Sequence, residues 1–78
     1  MPHVIVKMFP GRSQAQKQQL CDRIMEDLVE IAGCEKKSVS IAIEEIPEAE
    51  WAESVYKPDI EEKRDTLYIS PGHTLSGD

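Results

Sequence analysis

The sequence is poor in most things that would narrow its class by themselves. It has no stretch approaching the roughly 20 apolar residues of a membrane-spanning helix, and its start, Met1-Pro2-His3-Val4-Ile5-Val6-Lys7, has neither the charged lead nor the long apolar run of a signal peptide. The chain therefore reads as soluble and cytoplasmic. Cysteine is scarce: Cys21 and Cys34 form no Cys-x-x-Cys pair, so two free thiols are expected in a reducing compartment. The two histidines, His3 and His73, have no metal-ligand spacing to each other or to the cysteines, and no metal is expected. Basic residues are the minority. Nine Lys and Arg against fifteen Asp and Glu leave a net charge of −6, which argues against nucleic acid and anionic membranes as partners. Length is short as well. The 78 residues leave room for one domain, residues 1–78, with a core too small to be stable without help.

What is there is a β-α-β pattern, with the α/β (α+β) character that implies. Residues 3–9 hold the apolar run Val4, Ile5, Val6, Met8 and Phe9, as in a strand covered on both faces. Pro10-Gly11-Arg12 breaks it. Ser13 then offers an N-cap, and Gln16 completes a Ser-x-x-Gln capping box. Leu20, Ile24, Leu28 and Ile31 recur at helical spacing, widened by Cys21, Met25 and Ala32. Lys17, Asp22, Arg23, Glu26 and Glu30 are assigned to the opposite, polar side, and Gly33 to the C-cap. A second strand follows at residues 38–45, where Val39, Ile41 and Ile43 alternate with Ser40, Ala42 and Glu44. Two strands joined by a helix form a parallel, right-handed crossover. After Pro47 the pattern is again helical through Glu48, Trp51 and Val55. Pro58 is expected to interrupt it and open a further turn over residues 59–64. Residues 67–69 suit a short extended piece, 70–72 a turn, and 73–78 a loose tail.

A two-stranded sheet does not stand alone. One helix covers one face, and a second copy of the chain is expected to extend the sheet and cover the rest.

Chemistry points first to Pro2. Methionine before so small a residue is normally removed in the cell, which would leave Pro2 as a free secondary amine at the head of a strand. An α-amino group ordinarily titrates at about 7.7–8.0, and burial or a nearby cation favours its neutral form. A base poised near neutrality suits proton transfer. Alternatively, proline merely begins a strand, which it does without harm. Arg12, just before the helix cap, has the donor fork that suits a carboxylate, or it is a solvated surface residue. His3 reads as a strand-edge histidine, and His73 lies in the tail without a partner. Glu44, Glu45, Glu48, Glu50 and Glu53 read as a solvated acidic face. The sequence does not place the phenols of Tyr56 and Tyr68.

Pro2 at the head of a strand, Gly11-Arg12-Ser13, Gln16-Lys17, Leu20 and the run Ser38-Val39-Ser40-Ile41-Ala42-Ile43-Glu44-Glu45 together resemble the 4-oxalocrotonate tautomerase family over about residues 2–51. The stretch from Trp51 onward, with Pro71-Gly72, is similar to the longer bacterial branch, whose members act on enol forms of aryl pyruvates and are dimeric rather than hexameric. The resemblance implies that Pro2 is the general base and acid, that Arg12 binds a substrate carboxylate, and that Trp51 walls the pocket. It also exposes a departure. The family's second arginine, on the second strand, is here Ser40, and either Ser40 or backbone N–H groups are expected to stabilise the developing enolate oxygen. Activity on a dicarboxylate is therefore less expected than activity on a monocarboxylate with an apolar or aryl end, without cofactor. Two other readings fit the same residues. One is a non-catalytic small-molecule-binding or assembly module on this fold. The other is amine chemistry in which Pro2 forms iminium adducts with aldehydes.

Overall fold

The structure is a computed structural model, and residues 1–72 are described; His73 and the expected loose tail lie outside the described residues. The chain divides into two compact units, Met1–Glu45 and Ile46–Asp78.

The first unit is the β-α-β element. Strand β1 spans His3–Met8 and strand β2 Ser40–Glu45. They pair in parallel with His3 opposite Ser40, Val4 opposite Ile41, Ile5 opposite Ala42, Val6 opposite Ile43, Lys7 opposite Glu44 and Met8 opposite Glu45. Laterally paired residues share a face, so Val4, Val6, Ile41 and Ile43 fall together, and His3, Ile5, Ser40 and Ala42 fall on the other side. Both strands are shorter than expected. Phe9 lies beyond β1, and Lys36–Ser38 wind into a 3₁₀ turn closed by the Ser38 N–H on the Glu35 carbonyl at 2.9 Å, so β2 begins at Ser40 instead of residue 38.

Helix α1 spans Gln14–Ala32. The capping box forms as expected: the Gln16 N–H donates to Ser13 Oγ at 3.1 Å, and the Ser13 N–H donates to Gln16 Oε1 at 2.8 Å. The helix ends at Gly33, whose left-handed backbone (φ 72°) suits a residue without a Cβ. In the connection before α1, Gly11 has φ 131°, again a glycine conformation.

The helix face turned to the sheet differs from the predicted stripe at its margins. Cys21, Ile24, Met25 and Leu28 are half-buried, whereas Ile31 remains 81% exposed and Leu20 37%. Lys17, assigned to the polar side, instead lies with the half-buried group and donates from Nζ to Glu45 Oε1 at 3.2 Å. Its position four residues before Cys21 puts it on that face, and its long aliphatic stem can cover apolar surface while the ammonium reaches the end of β2. The strands are not sealed on both faces in the single chain: Ile5 is 47% exposed.

The second unit opens with a 3₁₀ turn at Glu48–Glu50, in which the Glu50 N–H donates to the Pro47 carbonyl at 2.9 Å. Trp51 leads into a π-helix over Ala52–Glu61. Pro58 lies inside this helix and does not interrupt it, contrary to expectation. The Glu62 N–H bonds the Lys57 carbonyl at 3.0 Å, five residues back. In α winding a proline ring strikes the carbonyl four residues earlier; π winding moves the bonding partner to the fifth. Val55 is buried, and on the surface Lys57 Nζ meets Glu53 Oε1 at 2.6 Å, a hydrogen bond that raises the lysine pKa. The turn expected over residues 59–64 is displaced to Arg64–Thr66. Residues 67–69 form no strand, and Tyr68 and Ile69 are fully or almost fully exposed.

Candidate active site

Pro2 immediately precedes β1 and is half-buried. Its carbonyl accepts the Ser40 N–H at 3.2 Å, which ties the start of the chain to the start of β2. One residue on, His3 Nδ1 lies 2.6 Å from Ser40 Oγ. The structure thus gathers Pro2, His3 and Ser40 at the first rung of the sheet. Pro2 and Ser40 were both candidates from the sequence. The His3–Ser40 contact was not foreseen, because it depends on the register between strands 37 positions apart in sequence. The sequence held no signal for it, since a strand read from residue 38 puts Ser38 and not Ser40 at its head.

Arg12 is not at this rung. It follows β1 at the other end, where Nη1 donates to the Phe9 carbonyl at 3.3 Å. At about 3.3 Å per residue, the six residues of β1 put roughly 20 Å between Pro2 and this guanidinium. Arg12 lines a cavity of 180 Å³ with Met8, Gln16, Lys17 and Leu20, two cations beside apolar side chains. A wider, open cleft of 660 Å³ lies along α1, bordered by Gln14, Ala15, Lys17, Gln18, Cys21 and Ile43. Trp51 is half-buried at the head of the π-helix in the second unit. Among the described residues no three His, Cys, Asp or Glu side chains gather as a metal site, and no helix is long and apolar enough to cross a membrane.

The β-α-β unit thus carries two separate polar groupings, the first rung with Pro2, His3 and Ser40 and the cavity bordered by Arg12 and Lys17. Two parallel strands joined by one long helix, with polar groups at both ends of the first strand, define a small α+β domain of a recognisable class. Comparison with known proteins identifies the class more closely. Residues 2–55 match the family described as tautomerase enzyme. A probable tautomerase of Xylella fastidiosa (strain 9a5c) is 42% identical over 73 residues, covering 94% of this chain and 89% of that protein. The tautomerase PptA of Cronobacter sakazakii (strain ATCC BAA-894) is 36% identical over 76 residues, covering 96% of this chain and all of that protein. The crystal structure of YwhB, a homologue of 4-oxalocrotonate tautomerase, superposes with a TM-score of 0.58 at 35% identity, covering 59% of this chain and 75% of that one. The chain belongs to the tautomerase family. It is an enzyme of the isomerase class, on the α+β fold of the 4-oxalocrotonate tautomerase group.

Proposed function

We propose that this tautomerase converts the enol form of a monocarboxylate, a 2-hydroxy-enoate or a phenylenolpyruvate-like compound, into its keto form, with the Pro2 nitrogen as the proton carrier and no cofactor. Removal of Met1 makes that nitrogen a secondary amine. The amine takes the proton of the 2-hydroxyl as the C2–O bond gains double-bond character. It then delivers a proton to C3, where the C2=C3 electron pair receives it, and the neutral amine is restored. One group carries both steps.

The observation that supports this reading best is the composition of the first rung. Pro2 is half-buried there beside a hydroxyl and an imidazole, Ser40 and His3, with no second guanidinium on β2. A rung of this kind suits a neutral oxygen at the reacting carbon. The single carboxylate falls to Arg12, whose fork of donors can hold it bidentately, and Trp51 supplies an apolar wall against an aryl end.

Arg12 serves this role from another copy of the chain, because the Arg12 of the same chain is at the far end of β1. The enzyme is accordingly a homo-oligomer, with a dimer favoured over a hexamer. Exposed apolar side chains on the β-α-β unit, Ile5, Phe9, Leu20 and Ile31 among them, supply surface for that assembly. The test is an ultraviolet assay of Met-free protein with phenylenolpyruvate and with a 2-hydroxy-dienedioate. Turnover of the monocarboxylate at the higher kcat/KM supports the reading. Preference for the dicarboxylate, or no turnover of either, overturns it.

A further inference from the structure

We propose that His3 is a positioning residue for Ser40, and that the Ser40 hydroxyl so oriented donates a hydrogen bond to the substrate oxygen on C2 as negative charge develops there. The inference rests on Pro2 being the proton carrier and adds a second participant to that site.

Ser40 is held from two sides by one dipeptide. Its backbone N–H meets the Pro2 carbonyl at 3.2 Å, and its Oγ meets His3 Nδ1 at 2.6 Å. A serine hydroxyl by itself turns among staggered positions, so a bond of this length selects one. Among the residues of β1 and β2, this face offers no competing partner close by. The next rung, Ile5 opposite Ala42, is apolar, and the charged rung Lys7–Glu44 is a further two residues along. Four residues of strand separate it from His3, about 13 Å at the usual rise. The Pro2–His3 dipeptide therefore sets both the place of Ser40 and the direction of its hydroxyl.

Direction decides what the hydroxyl can do. With the proton on Nδ1, His3 donates to Ser40 Oγ and the serine O–H is turned away, free to donate. With Nδ1 unprotonated, Ser40 donates to His3 and presents only lone pairs. An oxygen that gains negative charge in the transition state is stabilised by a donor already in place, so the productive arrangement has the proton on Nδ1. Both side chains are exposed in the chain, and an exposed hydrogen bond contributes little to folding. The pair makes more sense as a device for the site. It also presents a hydroxyl where a guanidinium would present a fixed charge, and does not call for a second carboxylate on the substrate.

The experiment compares Met-free wild type with His3→Ala, His3→Asn, Ser40→Ala and the His3→Ala/Ser40→Ala double variant on phenylenolpyruvate. His3→Ala and Ser40→Ala are expected to lower kcat by about tenfold or more, with KM for the carboxylate little changed, since a donor to a developing oxyanion acts on the transition state. The double variant is expected to be no slower than the worse single, because the two act as a unit. His3→Asn, whose amide N–H can replace Nδ1–H, recovers most of the loss. Nitrogen NMR gives a readout independent of activity: Ser40→Ala shifts the His3 Nδ1 resonance. Unchanged kcat in the singles, independent losses that multiply in the double, or an His3 Nδ1 resonance indifferent to Ser40 overturns the proposal while leaving Pro2 in its role. Equal rates from Met-retaining and Met-free wild type remove Pro2 from the mechanism, and this proposal with it.

Discussion

Pro2 and Arg12 stand at opposite ends of β1, with the six strand residues His3–Met8 between them. The Arg12 guanidinium is turned onto the Phe9 carbonyl at 3.3 Å, which keeps it at its own end. A small carboxylate cannot reach both from within one chain. This separation turns a question about catalysis into one about assembly, and it can be tested by mixing subunits. Assayed with substrate well below the wild-type KM, Pro2→Ala and Arg12→Ala homo-oligomers are each expected to turn over little, the first through kcat and the second through KM. After the two are unfolded together and refolded, a symmetric dimer exchanging these residues regains about a quarter of wild-type activity, since half the dimers are mixed and each carries one intact site. Complementation with no recovery, or a wild-type chain sedimenting as a monomer at micromolar concentration, would place both residues of a site in one chain or remove one of them from it.

Arg12→Ala alone should act on binding. Loss of a charged hydrogen bond to a carboxylate removes about 1.5–3 kcal/mol, which raises KM roughly ten- to hundredfold. Arg12 is exposed, so the melting temperature should hardly move. Steady-state kinetics beside a thermal melt separates the two effects. A KM that stays unchanged for every carboxylate tried would exclude the residue from the site.

Met1 should govern activity outright. While Met1 is attached, the Pro2 nitrogen is an amide whose lone pair is delocalised into the carbonyl, and it has no proton to give. Met-retaining protein is expected to be inert and Met-free protein active, each form verified by intact mass. The pH dependence has a definite sign. The amine must be unprotonated to accept a proton, so kcat/KM falls as pH drops below the pKa of the free Pro2 amine and levels off above it. A rate that is flat through the neutral range, or one that rises on acidification, would point to a different base.

Ser13→Ala tests the fold alone. It deletes the acceptor for the Gln16 N–H at 3.1 Å and disturbs the reciprocal bond at 2.8 Å. The expected cost is about 1 kcal/mol, a drop of roughly 4–8 °C in melting temperature for a domain of this size. Protein concentration must be fixed, since an oligomer's transition depends on it. An unshifted melt would mean that the start of α1 is held by something other than its cap.

Features governed by near neighbours were the legible ones. Ser13 with Gln16, and Gly33 at the helix end, are local patterns, and the structure contains them as read. The alternation of Ile41 and Ile43 with Ser40 and Ala42 is likewise local, and the register sorts these residues into two faces as expected. Three features depended on distant or competing partners. Lys17 looked polar by type, yet Glu45 at the end of β2 holds it on the sheet side. Ser38 looked like strand, but the Glu35 carbonyl draws its N–H into a turn first. His3 gave no hint of its contact until Ser40 was set opposite it. The candidate site shows the same division. The nearness of Pro2 to Ser40 is a matter of strand pairing, and the distance from Pro2 to Arg12 could be counted in residues once β1 was drawn.

Pro58 carries a consequence for the second unit that its reputation as a breaker conceals. In an α-helix its ring would collide with the carbonyl of Ser54, four residues back, while the π winding of Ala52–Glu61 accommodates it. The proline therefore acts as a filter between two ways of coiling the same segment, admitting the wide one and refusing the narrow one. The proline so disfavours slipping from one pitch to the other that the side chains of Ala52–Glu61 keep a single angular phase around the axis. Replacing this one ring with a residue that has an N–H to donate would open the second pitch and let that phase drift.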